Sequence, residues 1–306
     1  MSEQPFGLLE LGTNSLKFYR VEFNAGTGHT VKPHKFTWRV GHDFFAQGRL
    51  SEATVDELIT KLRSVEKVAE GIPMTSMLAV ATGVFRELPN IAQLGAHVKA
   101  QTGIRLRVIT GEDEAKLMAK GFARAPRGGS VLLCDLGGAT TEWAWMLDGA
   151  AQSWGSLPLG AIRNEYRFGS LRGDAAGYLT ASSEHCDKVL ASLVVPSPTN
   201  VMATGGTAKA AAYVAQKTIL PFDELHALTE SVLKHGPPSV LKPERQAVFL
   251  PGLVILERLC ARCGSAHLEY AQTSVRDGMA ERLIQLLGTH RRQDLHSTLL
   301  LHTRGA

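Results

Sequence analysis

The chain has 306 residues, a length that suits one large domain or two of medium size. Hydrophobic residues make up 44% and charged residues 20%, a balance that is typical of globular proteins and excludes an intrinsically disordered chain. The net charge of +4 is compatible with a polyanionic ligand. No run of Lys and Arg with interleaved aromatic residues occurs, so specific nucleic-acid binding is not expected.

The N-terminal residues and the hydropathy pattern indicate a cytoplasmic protein. No basic segment with a long apolar run precedes the first predicted strand, so no secretory signal is expected. No stretch approaches the roughly eighteen apolar residues of a membrane span. Cys260 and Cys263 have metal-ligand spacing, but they lie in an apolar helical run without a second pair, so we predict reduced core cysteines.

The first part of the chain alternates strand and helix patterns. Ser51 is a suitable N-cap for the first helix, because its hydroxyl can accept a hydrogen bond from a backbone N–H. His42 and Asp43 resemble half of a metal site, but no second set matches them, and we interpret them as a loop. The strands are predicted at Phe6–Leu11, Leu16–Phe23, Lys35–Val40, Met77–Ala81 and Leu106–Ile109, and the helices at Glu52–Ala69, Ile91–Gln101 and Glu112–Ala123.

The pattern restarts after a break that contains Pro126, Gly128 and Gly129. We therefore predict two domains, residues 1–125 and 126–306, whose last helix can pack back on the first domain. The strands of the second are predicted at Ser130–Asp135, Thr141–Leu147, Ala151–Leu157 and His267–Ala271, and the helices at Asp174–Leu193, Ala208–Gln216, Phe222–Lys234, Pro251–Cys263 and Asp277–Leu287. This repeated alternation predicts an α/β fold of two similar lobes with a cleft between them.

Three glycine-containing turns are the most informative features of the sequence. The first turn (Glu10–Ser15) and the second turn (Asp135–Thr140) each follow an apolar run with an acid, glycine and hydroxyl residues. Such a turn presents backbone N–H groups to a phosphate while its carboxylate can hold a divalent cation, and glycine permits the close approach. The third turn (Thr204–Thr207) precedes a helix pattern, which favours an anion at the helix N-terminus.

These three turns, in this order, resemble those of the exopolyphosphatase/guanosine pentaphosphate phosphatase (Ppx/GppA) family in its short two-domain form. The resemblance extends from about Leu8 to Leu283, nearly the whole chain. It implies an α/β fold of two actin-like lobes, of the sugar kinase/actin superfold, with the active site in the interdomain cleft. The further segments that resemble family motifs are Ala81–Arg86 with Asn90, Ile109–Ala115, Ser156–Gly160, Arg245–Gly252 and Arg276–Gly278.

The resemblance also implies the roles of the candidate site residues. Glu114 matches the catalytic glutamate, and Arg86 is expected to hold a terminal phosphate. From the sequence alone, residues 112–114 could instead complement the positive end of a helix. The candidate ligands of Mg²⁺ or Mn²⁺ are Asp135, Glu142 and Glu10. The candidate substrate-binding residues are Asn14, Ser15, Lys17, Gly137, Gly138, Ala139, Thr140, Thr204, Gly205, Gly206 and Thr207.

Two positions depart from the family pattern. Glu10 stands where the family usually has aspartate, which moves the carboxylate by about one bond length. Ala139 stands where a third glycine is usual and adds a Cβ near the expected anion. We also expect the additional C-terminal helical domain of longer members to be absent.

We therefore expect hydrolysis of the terminal phosphate of inorganic polyphosphate or guanosine pentaphosphate, by water that Glu114 activates with the help of a metal ion. Two alternatives are open. One is a catalytically weak sensor that binds polyphosphate or guanosine polyphosphates, and the other is a kinase-like phosphotransferase of the same superfold. The preferred substrate and the oligomeric state, including a homodimer, are also left open.

Overall fold

A computed structural model of the chain describes residues 5–24, 27–30, 34–74, 77–122 and 128–271. Contacts between Cα atoms divide these residues into two compact units, with the division between Gly121 and Phe122. The predicted domain boundary at 125/126, the last predicted helix (Asp277–Leu287) and the motif Arg276–Gly278 lie outside the described residues. No helix of the described residues is long and apolar enough to cross a membrane.

The first unit contains a mixed sheet. Its described strands are β1 (Phe6–Leu11), β2 (Ser15–Asn24), β3 (Thr27–Thr30), β4 (His34–Thr37), β5 (Leu78–Ala81) and β6 (Leu106–Val108). They form the order β3-β2-β1-β5-β6, and β4 also pairs with β2. Strands β1, β5 and β6 are parallel, whereas β2 is antiparallel to β1. The helices are α1 (Val40–Gln47), α2 (Glu52–Glu66), α3 (Ile91–Thr102) and α4 (Gly111–Phe122), and a short 3₁₀ helix spans Gly83–Arg86.

The second unit contains another mixed sheet. Its described strands are β7 (Ser130–Leu136), β8 (Thr141–Leu147), β9 (Ala150–Leu157), β10 (Asn200–Gly205), β11 (Ile219–Pro221) and β12 (His267–Tyr270), in the order β11-β12-β10-β7-β8-β9. Strands β7, β10 and β12 are parallel. The helices are α5 (Ala161–Phe168), α6 (Ala175–Leu190), α7 (Gly206–Ala215), α8 (Phe222–His235), α9 (Pro243–Gln246) and α10 (Phe249–Cys263), and a 3₁₀ helix spans Gly169–Leu171.

The two sheets repeat one topology. In each, an antiparallel hairpin is followed across the sheet by two strands parallel to its first strand, as β2-β1-β5-β6 in the first unit and β8-β7-β10-β12 in the second. The predicted α/β fold with two lobes of related topology is therefore confirmed.

Helix α10 forms the centre of the core of the second unit. It contacts α5, α6, α7 and α8, and Leu253 and Leu256 are fully buried. Truncating such a buried leucine to alanine costs about 2–5 kcal/mol. Cys260 and Cys263 are buried and free, as predicted, and so are Cys134 and Cys186. Burial raises the pKa of the Cys263 thiol to about 11, so that this group stays protonated at neutral pH.

Two sequence predictions differ from the structure at α1. The predicted strand Lys35–Val40 ends at Thr37, because Val40 already begins α1. The interpretation of His42 and Asp43 as a loop was wrong, since both lie within α1. The carboxylate of Asp43 accepts hydrogen bonds from the backbone N–H of Ser51 at 2.6 Å and from its hydroxyl at 2.9 Å. Ser51 in turn caps α2, as predicted, by accepting from the N–H of Thr54.

Candidate functional site

The parallel strands of the first unit bring three predicted segments to one edge of its sheet. Strand β1 ends at Leu11, beside Ala81 at the end of β5, which pairs with Val108 at the end of β6. The first turn follows β1, Arg86 follows β5 and Glu114 follows β6. Because these strands are parallel and in register, their carboxyl ends meet at the same edge, where open α/β sheets bind ligands.

Glu114 and Arg86 form an ion pair at this edge. Nη1 of Arg86 donates to Oε2 of Glu114 at 2.6 Å, and Glu114 is only 8% exposed. The neighbouring acids differ: Glu112 is exposed, and the Asp113 carboxylate accepts from the hydroxyl of Thr110 at 2.7 Å. Charge complementarity to the helix end therefore accounts for Glu112 and Asp113, whereas Glu114 is buried and oriented by an arginine 28 residues away in the sequence.

Both carboxylate oxygens of Glu10 contact other side chains of the same sheet. Nζ of Lys17 lies 2.6 Å from Oε1, and the hydroxyl of Tyr19 donates to Oε2 at 3.1 Å. Glu10 and Lys17 are directly opposite in the β1–β2 register. Glu10, predicted to bind a metal ion, and Lys17, predicted to bind phosphate, thus form one ion pair.

The backbone of the first turn is fixed by the segment that leads into α1. The N–H of Gly12 donates to the carbonyl of Ser15 at 3.0 Å and closes the turn. The carbonyl of Gly12 accepts from the indole N–H of Trp38 at 3.0 Å, and those of Thr13 and Asn14 accept from backbone N–H groups of residues 41 and 38. Asn14 and Ser15, predicted to bind substrate, are half-buried on this turn.

In the second unit, four polar side chains lie directly opposite one another across four strands. Thr204 on β10, Asp135 on β7, Glu142 on β8 and Ser156 on β9 are successive partners in the sheet register, so we call them the polar row. Glu142 is 3% exposed and its Oε1 accepts a hydrogen bond from the Ser156 hydroxyl at 2.8 Å. Directly opposite like charges destabilise a sheet, so a cation at Asp135 and Glu142 would relieve their repulsion.

The donor set of the polar row suits magnesium. Within the described residues, no group of three or more His, Cys, Asp or Glu side chains could hold a metal ion by itself. Magnesium needs no such cage, because it is commonly bound through one or two carboxylates together with water and substrate phosphate oxygens. Asp135 and Glu142 can supply these two carboxylates. Glu10, the third predicted ligand, belongs to the first unit and contacts Lys17 and Tyr19.

The second turn has the same closure as the first. The N–H of Gly137 donates to the carbonyl of Thr140 at 2.9 Å. Gly137, Gly138 and Thr140 are half-buried, whereas Ala139 is fully buried. The extra methyl group of Ala139, the second departure from the family pattern, therefore does not face solvent.

The third turn lies beside Asp135. Gly205 has a φ of +96°, and a Cβ there would overlap with the carbonyl of Leu136 and lie 2.9 Å from Oδ1 of Asp135, so glycine is required for two reasons. Thr204 belongs to the polar row. Thr207 is 1% exposed and packs against Gly252 of α10, and its hydroxyl has no hydrogen-bond partner among the described residues. A substrate contact of Thr207 would thus involve its backbone N–H.

Arg245 is a candidate site residue that sequence reasoning assigned only to a motif, without a role. Its guanidinium lies against Gly206 at the N-terminus of α7, so closely that a Cβ at Gly206 would overlap with it. Burial lowers the pKa of Arg245, although Glu244 opposes this effect. A cation at the positive end of a helix is unfavourable by itself, and both groups favour an anion between them. No local pattern around Arg245 signals this contact, because it joins residues 39 positions apart in the sequence.

Comparisons with known sequences give a consistent result. The model of the Ppx/GppA phosphatase family matches residues 21–286. Exopolyphosphatase 1 of Mycobacterium tuberculosis (strain ATCC 25618 / H37Rv) is 29% identical over 161 residues, which cover 51% of this chain and 46% of that protein. The guanosine-5'-triphosphate,3'-diphosphate pyrophosphatase of Aeromonas salmonicida (strain A449) is 25% identical over 293 residues, 91% of this chain and 59% of that protein. The chain thus spans about half the length of the curated relatives it matches.

Solved structures show the same fold. A Ppx/GppA family member from Aquifex aeolicus has a TM-score of 0.75 at 19% identity, over 94% of this chain and 99% of the other. An exopolyphosphatase from Cytophaga hutchinsonii ATCC 33406 has a TM-score of 0.78 at 17% identity, over 92% of this chain and 98% of the other. These likenesses confirm the predicted actin-like α/β fold.

Proposed function

We propose that this chain, which belongs to the Ppx/GppA phosphatase family, is a hydrolase that removes the terminal phosphate of inorganic polyphosphate or guanosine pentaphosphate. The observation that carries the proposal is the pair of half-buried Asp135 and buried Glu142, directly opposite each other beside a glycine turn, in a chain of this family. Relatives named as exopolyphosphatase and as guanosine-5'-triphosphate,3'-diphosphate pyrophosphatase support both substrates.

The second unit would bind phosphate and metal. Asp135 and Glu142 would hold Mg²⁺ or Mn²⁺, and Ser156 would orient the Glu142 carboxylate. The bound ion would neutralise negative charge on the phosphate oxygens. The amides of the second and third turns, the N-terminus of α7 and the guanidinium of Arg245 would bind further phosphate oxygens, since backbone N–H groups and arginine are the usual partners of phosphate.

The first unit would supply the base. Glu114 would accept a proton from the attacking water, a role that requires a fixed carboxylate at a short distance from that water. Arg86 orients Glu114 through Nη1, and it would also contact a phosphate oxygen, because a guanidinium has five N–H donors. Lys17, Asn14 and Ser15 would complete the phosphate contacts of this unit.

The deciding experiment measures phosphate release in the presence of magnesium from short polyphosphate, long polyphosphate and guanosine pentaphosphate. We expect Glu114→Gln to lower kcat by about 10²–10⁴-fold, the usual effect of losing a general base. Glu112→Gln is the matched control, because it makes the same chemical change at an exposed position two residues earlier. Near-normal turnover by Glu114→Gln would remove this residue from the mechanism.

The same assay separates the two alternatives. Tight calorimetric binding of these ligands by a wild type without turnover would identify a sensor, and nucleotide turnover that depends on an acceptor would identify a kinase-like enzyme. Activity in excess chelator would contradict the metal proposal. The cytoplasmic location and the homodimer stay predictions.

A further inference from the structure

The second turn is held from one side by the N-terminal end of α5. The N–H of Ala161 donates to the carbonyl of Gly137 at 3.0 Å, and those of Ile162 and Arg163 donate to the carbonyl of Gly138 at 2.9 and 3.0 Å. A Cβ at Gly160, the N-cap of α5, would overlap with the turn backbone, so the helix end and the turn are in direct contact. The free N–H groups of a helix N-terminus therefore bind the turn.

The carbonyl of Ala139 is held by a side chain. Nε of Arg163 donates to this oxygen at 2.7 Å. The next backbone donor of α5, the N–H of Asn164, already bonds to the carbonyl of Gly160 within the helix. Arg163 thus extends the row of donors of the helix end by one group, so that three consecutive carbonyls, of residues 137–139, are all fixed.

Fixing these carbonyls also fixes the direction of the next three amides. A trans peptide is planar, so the N–H of each following residue points away from the carbonyl that precedes it. The N–H groups of residues 138–140 accordingly point away from α5. Because Gly138 and Thr140 are half-buried rather than fully buried, their amides are suited to a phosphate oxygen.

The first turn shows a related arrangement independently. Three consecutive carbonyls, of residues 12–14, accept from two backbone N–H groups near the start of α1 and from the indole N–H of Trp38. In both units one side chain adds a donor to the backbone N–H groups, although the two side chains differ in chemistry and hold different carbonyls, that of Gly12 in the first turn and that of Ala139 in the second. This recurrence indicates that the bond itself, rather than the charge of arginine, is the shared requirement.

We propose that Arg163 is a positioning residue, which orients the amides of the second turn toward the phosphate by holding the carbonyl of Ala139. The inference rests on the proposed function and deepens it, because it names the side chain that holds the phosphate-binding turn in place. It requires a hydrogen-bond donor at the position of Nε and does not require the positive charge.

Arg163→Gln and Arg163→Met separate these two properties. The amide nitrogen of glutamine stands the same number of bonds from the backbone as Nε, so Gln keeps the donor without the charge, whereas Met has neither. Arg167→Ala is the control, since Arg167 lies one turn later on α5 and contacts His185 instead of the turn. For each variant we would measure kcat/KM for tripolyphosphate, the melting temperature, and hydrogen exchange at the amide of Gly137, which closes the turn.

We expect Arg163→Met to lower kcat/KM about tenfold, as the loss of one ordering hydrogen bond implies, and to speed exchange at Gly137 by a similar factor. Arg163→Gln and Arg167→Ala should stay within about twofold of the wild type in both measurements. Equal losses in the Gln and Met variants, or no loss in either, would overturn the inference. A wild type that releases no phosphate would overturn the proposed function instead, and exchange at Gly137 would then decide the role of Arg163 without any turnover.

Discussion

The first and second turns are closed by the same backbone hydrogen bond, but the residues opposite their acids carry opposite charges. In each, an acid is followed two residues later by a glycine whose N–H closes the turn onto the carbonyl three residues further on. In each, the residue directly opposite the acid in the hairpin is seven positions later. That residue is Lys17 opposite Glu10 in the first unit and Glu142 opposite Asp135 in the second.

This single difference determines what each turn can hold. Lys17 neutralises Glu10 within the protein at 2.6 Å, so the first turn needs no external cation. Asp135 and Glu142 instead bring two carboxylates to one face of the sheet, where we propose that a cation binds. The repeated fold supplies the same turn closure twice, and one register position distinguishes an acid that is opposite a lysine from an acid that is opposite a second acid, the pair for which we propose a metal ion.

Glu142→Lys would copy the ion pair of the first unit into the second and should have the largest effect. We expect magnesium-dependent phosphate release to fall by at least about 10²-fold, since a ligand is lost and a cation occupies its place. Glu142→Gln removes the negative charge without adding a positive one, so its phosphate release should fall less than that of Glu142→Lys. The measurement is a magnesium titration of phosphate release with the melting temperature of each variant, and wild-type magnesium dependence in Glu142→Lys would refute the metal assignment.

Removing one acid from each turn tests whether only the second binds the metal ion. Asp135→Asn should raise the magnesium concentration needed for half-maximal activity by about 10–100-fold. Glu10→Gln should change it by less than about threefold, because Glu10 is already paired with Lys17. Equal shifts in the two titrations would show that Glu10 is a metal ligand too, as the sequence predicts.

The N-caps of α5 and α1, the helices that contact the two turns, should tolerate substitution differently. Gly160→Ala would force a methyl group into the backbone of the second turn and should cost about 1–3 kcal/mol of unfolding free energy. Arg39→Ala, at the exposed N-cap of α1, should stay within about 0.5 kcal/mol of the wild type. Denaturant unfolding of both variants provides the comparison. A Gly160→Ala variant with the unfolding free energy of the wild type would contradict the close contact between α5 and the second turn.

The smallest expected difference concerns the hydroxyl groups that donate to the acids. Ser156→Ala removes the hydroxyl that donates to the buried Glu142 and should cost about 1 kcal/mol. Tyr19→Phe removes the hydroxyl that donates to Glu10 and should cost about 0.5 kcal/mol, because Lys17 still contacts that carboxylate. Thermal unfolding with and without magnesium checks both values. If magnesium raises the melting temperature of Tyr19→Phe less than that of Ser156→Ala, the metal ion binds at the first turn and not at the second.

The sequence by itself determined the hairpins and their turns. Strand β1 and strand β8 have the predicted bounds, and Ser51 caps α2 as predicted. These features depend on residues close together in the chain: apolar runs bounded by glycine and hydroxyl residues, and a side chain that bonds three residues ahead. The acids, glycines and hydroxyl residues of both turns were therefore recognisable from the sequence.

Only the tertiary structure decided how those turns are held and what faces them. Helices α1 and α5 were not predicted, because they are short and their N-caps, Arg39 and Gly160, make no side-chain cap bond. The hydrogen bonds from the start of these helices to the turns cross 24 to 28 residues, as Arg163 to Ala139 and Gly41 to Thr13 do. The pair Arg86 and Glu114 crosses 28. No local pattern encodes such bonds, since they form only when packing of the sheets and helices brings distant donors and acceptors within hydrogen-bonding distance.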